Sequence, residues 1–598
     1  IVNPGTYVEN LLINKELTLL GPNANIDPCN DLRAPEAVIV PAIADFNGIS
    51  AYSIIDVQAS NVTIKGFTID GDNPAINTGF SSTNGADIDI AVGITRYVTG
   101  DNINISNNIV QNLSYFGLEL YDYPAGIPSS SNTISNNKIS DLGSYDNTPG
   151  GLAFWGGGVL LYNNQYASVS NNCMTNVRIG IQTGNFFQAN PGGSTYQLLD
   201  GNTIQARRRG IFHNLHYATA SPFTLINNNI TGLSDANETN WDGILLTSLS
   251  VGSLSQDNII DGTNLSQSEG YEVWNVKNTT PAVINGGSVR GVKYGLSVNN
   301  FAGYNSDATD GAHVIVSKLS VNNCQNGILI QDDPMSSHAL VHALIQDDCE
   351  MINAGPGTGL LITGAKSSVN LNENDASIHG FTIGVDVDGG TATITNNHIY
   401  ENGTGIRVSN GGILNSTFGN LIHSNSTDGI RIEGSAGSIG VINNNDLSGN
   451  SVYAINNLSN QLIDGTCNWF GTTNSLLVAN QINGNVDFTP FLKLGIDFDP
   501  LSPGFQPVPN ICDAIAPALT TTINTVTINS NNDGIDDIGS FSVCNIPNNI
   551  VFNSFSDQNG LSDPLLKVFQ TYTTSNVSVP FCNNCAAPMA AFTGVTGT

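Results

Sequence analysis

Apolar and polar residues alternate in short runs along most of the chain, and many of these runs begin at a glycine. The repeated phrase is Gly, an apolar residue, a variable residue and another apolar residue, as in 117–120 and 243–246. Because successive side chains of a β-strand point to opposite faces, this alternation predicts strands with one apolar face turned inward. The phrase recurs at spacings of 32, 32, 25, 21 and 24 residues, through Gly295, Gly327, Gly359, Gly384, Gly405 and Gly429. Such a period predicts one coil of a solenoid and is too short for an independent domain.

A second phrase lies between these strands and consists of adjacent Asn residues that lead into another short strand. It is present at 107–108, 136–137, 171–172, 227–229, 396–397 and 443–445. Asn tolerates left-handed backbone angles, which suits a tight corner, and Asn amides stacked on successive coils can form a hydrogen-bonded ladder. The two phrases together predict coils of at least two strands that are separated by tight corners.

These patterns predict an all-β protein in which residues 1–495 form a right-handed parallel β-helix. Such a solenoid exposes unpaired strand edges at both ends, so we expect an N-terminal cap within 8–20 and a C-terminal lid within 467–492. Prolines recur in 496–518, which predicts a linker. The short β-rich runs of 519–598 predict a small β-sandwich.

The opening Asn3–Asn10, the coils and the closing Asn468-Trp469-Phe470-Gly471 resemble the right-handed parallel β-helix repeat family. The sequence is similar in particular to surface adhesins of Bacteroidota, in which such a helix precedes arrays of β-sandwich repeats. The resemblance covers about residues 1–495 and implies an extracellular protein, either secreted or attached to the outer cell surface. That family includes enzymes as well as structural rods, so the resemblance implies the fold and leaves the function open.

Charge narrows the range of partners. Acidic residues outnumber basic residues 49 to 18, and the formal net charge is −31. This charge repels phosphate backbones and anionic lipids, so we expect neither a nucleic-acid partner nor direct membrane insertion. The partners that fit better are a glycan, preferably a neutral one, or a cell-surface protein. Both ends of the chain read as parts of something longer, so flanking domains of the same polypeptide are further expected partners.

One basic cluster is a candidate for catalysis. A polysaccharide lyase needs a base and a cation that neutralises the uronic carboxylate, and Arg207–Arg209 precede His213 and His216. This alternative function, a lyase or a related carbohydrate-active enzyme, would use Arg208, His213 and His216. However, the alternation places His213 on the inward side of its strand beside Ile211, where a hydrogen-bonded core histidine is the competing interpretation.

The variable position of the Gly phrase should face solvent, yet in the middle coils it is apolar. Residues 115–241 also hold 16 of the 44 Phe, Trp and Tyr residues of the chain. Two interpretations remain open: inserted loops bury this column as a satellite core, or an exposed groove stacks on sugar rings. Under the second interpretation the ligand-binding residues are Tyr121, Trp155, Tyr162, Phe212, Tyr217 and Trp241.

Near the C-terminus, four oxygen-bearing side chains surround Gly534, namely Asn529, Asn531, Asp533 and Asp537. Their spacing resembles a calcium loop, and calcium is the one cofactor to which the sequence points. An acidic β-turn between two strands is the alternative. Taken together, the sequence predicts a non-catalytic extracellular rod with a binding surface, as a cell-surface adhesin or glycan-binding segment of a larger secreted protein.

Overall fold

A computed structural model describes most of the chain, and the chain divides into two compact units, Ile1–Pro507 and Val508–Thr598. The described residues are 1–30, 32–45, 52–82, 84–98, 100–121, 131–142, 156–162, 167–184, 197–216, 223–235, 238, 240–249, 253–276, 280–300, 311–335, 340–509, 512, 549–550 and 572–573. In the second unit, Asn549–Ile550 pairs antiparallel with Tyr572–Thr573. The predicted β-sandwich otherwise lies outside the described residues.

The first unit is a parallel β-helix, which confirms the all-β solenoid predicted from the alternation of side chains. Each coil contributes strands to three parallel ladders, called here face C, face A and face B in the order in which the chain passes through them. Each strand pairs with its equivalents one coil earlier and one coil later. A short helix, Ser475–Ala479, lies near the C-terminal end of the solenoid.

Face A carries the Gly phrase. Its strands are Leu11–Ile13, Ser53–Val57, Val92–Arg96, Phe116–Tyr121, Gly157–Tyr162, the second parts of Cys173–Gly184 and Thr203–His216, Trp241–Leu249, Ser268–Val276, Tyr294–Asn299, Asn326–Gln331, Thr358–Thr363, Ile383–Asp388, Thr404–Ser409, Asp428–Ile432, Tyr453–Asn457 and Ile482–Asn483.

Faces B and C complete each coil. The strands of face B are Leu17–Leu20, Val62–Lys65, Asn104–Ser106, Asn132–Ser135, Ala167–Ser170, Gln197–Asp200, Phe223–Ile226, Ser253–Gln256, Ala282–Asn285, Ala312–Ser317, Val341–Gln346, the first parts of Ser367–His379 and Thr391–Tyr400, Ile413–Phe418 and Ile439–Asn443. Ile463–Asp464 and Val486–Asp487 form a separate parallel pair. The strands of face C are Gly5–Val8, Ala37–Val40, Thr68–Asp70, Ile109–Leu113, Lys138–Leu142, the first parts of Cys173–Gly184 and Thr203–His216, Asn229–Gly232, Ile259–Asp261, Ser288–Arg290, Ser320–Asn322, Glu350–Ile352, the ends of Ser367–His379 and Thr391–Tyr400, and Leu421–His423.

The corner between faces B and C is built from the paired Asn residues. Asn171, for example, has a φ of 54°, and the next residue, Asn172, turns its side chain into the interior. The amide Nδ2 of each inward Asn donates to the Oδ1 of the next one, over 2.9 to 3.1 Å. The predicted ladder is confirmed in two runs, Asn108, Asn137, Asn172, Asn202, Asn228 and Asn258, and Asn397, Asn420, Asn445 and Asn468.

The two ends of the solenoid are built differently. Residues 8–20, expected as a cap, contribute strands of the first coil, and Leu12 there is 56% exposed. At the other end Phe470 and Phe491 are buried against each other and close the apolar interior. The chain then returns along the solenoid, where the buried Phe505 donates its backbone N–H to the carbonyl of Gly419. Residues 496–507, expected as linker, therefore belong to the first unit.

Residues 21–30 and 32–36, called here the strap, cross several coils at the corner between faces B and C. Arg33 donates to the carbonyl of Asn107 over 2.7 Å, and Asn107 donates from its side chain to the carbonyl of Ala24 over 2.8 Å. Cys29 forms a disulfide with Cys173, 144 residues later, with the two Cα atoms 5.8 Å apart. The strap thus ties the first coils to a coil in the middle of the solenoid.

Candidate functional site

A cleft of about 140 Å³ opens on face A, where consecutive coils pass residues 208–209, 240–242, 267–274 and 293–294. Its walls combine acidic, basic and aromatic side chains, chiefly Asp242, Glu269, Glu272, Arg208, Arg209, Lys293, Trp274 and Tyr294. The cleft thus combines polar groups of both charges with two aromatic rings.

The strand register places these side chains. Arg209 pairs with Asp242, Asp242 with Glu269, and Glu269 with Tyr294 on successive coils. Each of these residues directly precedes the Gly of its phrase, so the four form one column along face A. Glu272 belongs to the neighbouring column at the variable position of the phrase. Because adjacent strands lie about 4.8 Å apart, residues some 30 positions apart in sequence come into contact.

The acidic side chains of the cleft differ in their partners. Arg209 Nε lies 2.9 Å from Asp242 Oδ2, and the indole N–H of Trp274 donates to Glu272 Oε1 over 2.7 Å. Burial raises the pKa of Glu269 to about 8, and the charge on Asp242 adds to this shift. Burial likewise raises the pKa of Glu272, with Asp242 and Glu269 contributing. Burial therefore favours the protonated form of both glutamic acids, which stand next to the Arg209–Asp242 pair.

Only part of the basic cluster predicted from the sequence faces this cleft. Arg208 does: it pairs with Glu238 over 3.7 Å and donates to the carbonyl of Asn240. His213 points inward, is fully buried, bonds through Nδ1 to Thr183 Oγ1 and stacks on Phe223. The structure thus places His213 in the core, as the competing interpretation expected, and away from the cleft.

His216 ends a strand of face A, and its side chain lies outside the described residues. Trp155 and Tyr217 also lie outside the described residues. The same holds for the calcium candidates Asn529, Asn531, Asp533 and Asp537. The roles expected of these residues remain predictions.

Two of the aromatic residues expected to bind ligand are buried. Trp241 is 2% exposed, lies in the main core and donates its indole N–H to the carbonyl of Ala206 over 3.0 Å. Phe212 is 1% exposed and packs with Ile179 and Leu245 beneath the guanidinium of Arg209. The apolar outward column is thus a satellite core at this level, and neither ring is placed to stack on a sugar.

Tyr121 and Tyr162 are partly exposed and stack on each other with ring centroids 4.9 Å apart. Tyr97 extends the stack to a third coil at 5.1 Å. Its hydroxyl donates to Glu119, a fully buried carboxyl whose pKa burial raises to about 7. The rings cover each other's faces, and Tyr52 packs edge-on against Tyr97 with the centroids 6.2 Å apart.

The residues of the cleft were not found from the sequence, apart from Arg208 and the buried Trp241. Asp242, Glu269, Glu272 and Lys293 are separated by up to 51 positions and form no local motif. The signal that could have identified them is their place relative to the repeated glycine, as in Asp242-Gly243 and Glu269-Gly270. Alignment of the coils on that glycine would have stacked the two carboxyls.

Comparison with known proteins shows no similarity: the chain matches no protein-family model, no curated protein and no solved structure. Within the described part of the chain, no helix is long and apolar enough to cross a membrane.

Proposed function

We propose that this protein is an extracellular rod that binds a glycan in the cleft of face A, as a cell-surface adhesin or a glycan-binding segment of a larger secreted protein. The observation that carries this proposal is the combination in one cleft of Trp274 and Tyr294 with hydrogen-bonding groups of both charges. Sugar rings present apolar C–H faces and a rim of hydroxyls, which match the aromatic rings and the polar groups of the cleft.

The scaffold supports a binding role. The side chains of the cleft stand on paired strands in the middle of the solenoid, so little conformational freedom is lost when a ligand binds. Arg209 and Trp274 are further oriented by Asp242 and Glu272. A rigid, preformed cleft of this kind suits a binding surface.

The extracellular location rests on different observations. The Cys29–Cys173 disulfide is typical of proteins that fold in an oxidising compartment. The resemblance to surface adhesins of Bacteroidota, which rests on the sequence motifs alone, implies the same location, and a calcium ion at 529–537 would belong to the second unit.

The net charge of the chain bears on the kind of glycan: a charge of −31 favours a neutral glycan over a polyanion.

Glycan arrays with neutral and uronic oligosaccharides, followed by calorimetry, test the proposal. We expect Trp274→Ala to lower glycan affinity by about tenfold or more, because an aromatic anchor contributes on the order of 1.4 kcal/mol or above. Tyr453→Ala is the matched control, since Tyr453 stands on face A in a distant coil. Unchanged affinity of Trp274→Ala, with wild-type melting, would show that the cleft is not the binding site.

A second candidate function is hydrolysis or lysis of the bound glycan, and one observation favours it. Glu269, whose pKa burial raises, stands in register with Asp242 on the next strand, and in such a pair of carboxyls one group can donate a proton while the other acts as base or nucleophile. Assays for new reducing ends and for the ultraviolet absorbance of unsaturated products decide the matter. Turnover that Glu269→Gln abolishes while glycan binding persists would replace the non-catalytic proposal; binding without turnover would retain it.

A further inference from the structure

Two histidines on face C, remote in sequence from the cleft, approach each other closely. His398 Nε2 lies 2.9 Å from His423 Nε2 across consecutive coils. The register pairs Tyr400 with His423, so His398 reaches its partner diagonally from two positions earlier on its strand. Both histidines are partly exposed.

Neighbouring groups hold both rings in place. Tyr400 stacks on His398 with centroids 4.1 Å apart, and His379 stacks on Tyr400 at 4.8 Å. His423 Nδ1 lies 2.9 Å from Ser424 Oγ. When Nδ1–H donates to that hydroxyl, the Nε2 of His423 carries the lone pair. A histidine that binds a metal is commonly oriented by such a bond from its other ring nitrogen.

The 2.9 Å contact is a hydrogen bond in which one Nε2–H donates to the other Nε2. A neutral imidazole coordinates a metal ion through its unprotonated nitrogen, so binding through both Nε2 atoms requires the donating ring to carry its proton on Nδ1 instead.

The separation of the nitrogens can be compared with known coordination geometry. With metal–nitrogen bonds of about 2.0–2.1 Å, two ligands at a right angle lie about 2.8–3.0 Å apart, and two ligands of a tetrahedron lie about 3.3–3.4 Å apart. The observed 2.9 Å fits the right angle. Square-planar or tetragonal coordination by nitrogen is typical of Cu²⁺ and Ni²⁺, and Cu²⁺ is bound more tightly by a given site.

We propose that His398 and His423 form a binding site for a divalent transition-metal ion, Cu²⁺ foremost, through their two Nε2 atoms. Among the described residues, no group of three or more His, Cys, Asp or Glu side chains is arranged to hold a metal ion. Water would therefore complete the coordination. This site lies on a different face from the cleft and does not depend on the proposed glycan binding.

The test adds Cu²⁺ alone to the full chain at neutral pH. We expect calorimetry to show one site tighter than the remaining weak binding, and electron paramagnetic resonance to show two equatorial nitrogen ligands. His398→Ala should remove the tight site, and Ser424→Ala should weaken it by about tenfold through loss of the orienting hydroxyl. Zn²⁺ should bind less tightly than Cu²⁺.

His342→Ala is the matched control. Its Nδ1 is also bonded to a serine, Ser368 at 2.8 Å, but its ring centroid lies 6.2 Å from that of His313. This variant should keep the tight site. Since a lost ring could disturb the stack on Tyr400, His423→Asn serves as a second variant, and the melting temperature of each protein is recorded. Wild-type Cu²⁺ affinity in a folded His398→Ala or His423→Asn protein, or a spectrum with one nitrogen ligand, would overturn the proposal.

Discussion

Replacement of one inward Asn by Leu tests how much the amide ladder stabilises the solenoid. Asn202 is fully buried in the middle of the longer run. Its Oδ1 accepts from the backbone N–H and the side-chain amide of Asn172, at 3.1 and 3.0 Å. Its Nδ2 donates to Asn228 Oδ1 and to the carbonyl of Val169, each at 2.9 Å. In Asn202→Leu the new side chain has a similar volume, and all four hydrogen bonds are lost.

The expected loss of stability follows from the buried polar groups that Asn202→Leu leaves without a hydrogen-bond partner. The side chain of Asn172 keeps its bonds to the carbonyls of Ile134 and Ser170, and Asn228 Oδ1 keeps the backbone N–H of residue 202. The buried N–H of Asn172 and the carbonyl of Val169 lose the ladder contact. Each such loss costs about 1–3 kcal/mol, so we expect a destabilisation of about 2–6 kcal/mol. The same corner holds Gly287, Leu319 and Cys349 in successive coils, and the amide of Asn258, which precedes Gly287, donates instead to the carbonyl of Leu225 and the hydroxyl of Tyr271.

Hydrogen exchange read residue by residue is the appropriate assay, because a solenoid can open locally before it unfolds as a whole. The N–H of Asn172 should exchange faster by the factor that corresponds to the lost free energy, and the unfolding temperature should fall. Asn227→Gly is the control: Asn227 is exposed and has a φ of 54°, which Gly adopts freely, so the change should stay within about 0.5 kcal/mol. Unchanged protection of the Asn172 N–H in Asn202→Leu would refute the reasoning.

Two further predictions concern pH and the strap. Because the pKa of Glu269 is raised to about 8, the folded state binds more protons than the unfolded state above the ordinary pKa of Glu, so stability should fall as pH rises towards 8. Glu269→Gln should flatten that slope in melting temperatures recorded across pH, and an unchanged slope would contradict the assignment. Removal of the disulfide in Cys29→Ser/Cys173→Ser should destabilise the protein by about 2–5 kcal/mol, since the bond closes a loop with a sequence separation of 144 residues. Its unfolding temperature should fall relative to wild type in the absence of reductant, and equal temperatures would show that the strap contributes no stability.

The candidate site shows which side-chain positions the sequence predicted and which it did not. The inward direction of His213 followed from the alternation around Gly210, because parity along a strand is a local property. The burial of Phe212 did not, because its outward position is covered by Ile179 and Leu245 from neighbouring coils and by Arg209 of its own strand. Aromatic content alone cannot tell a satellite core from a groove.

The sequence by itself determined the class of fold, the inward and outward faces of each strand and the Asn corners, since all of these depend on residues within one coil. Tertiary structure alone decided which coils stand in register, and therefore that Asp242, Glu269 and Tyr294 share a column and that His398 meets His423. Coil lengths vary because insertions occur at the corners, so the position along the chain does not reveal the partner on the next coil. The parallel pairing of strands sets that partner, and with it the contents of the cleft and of the histidine pair.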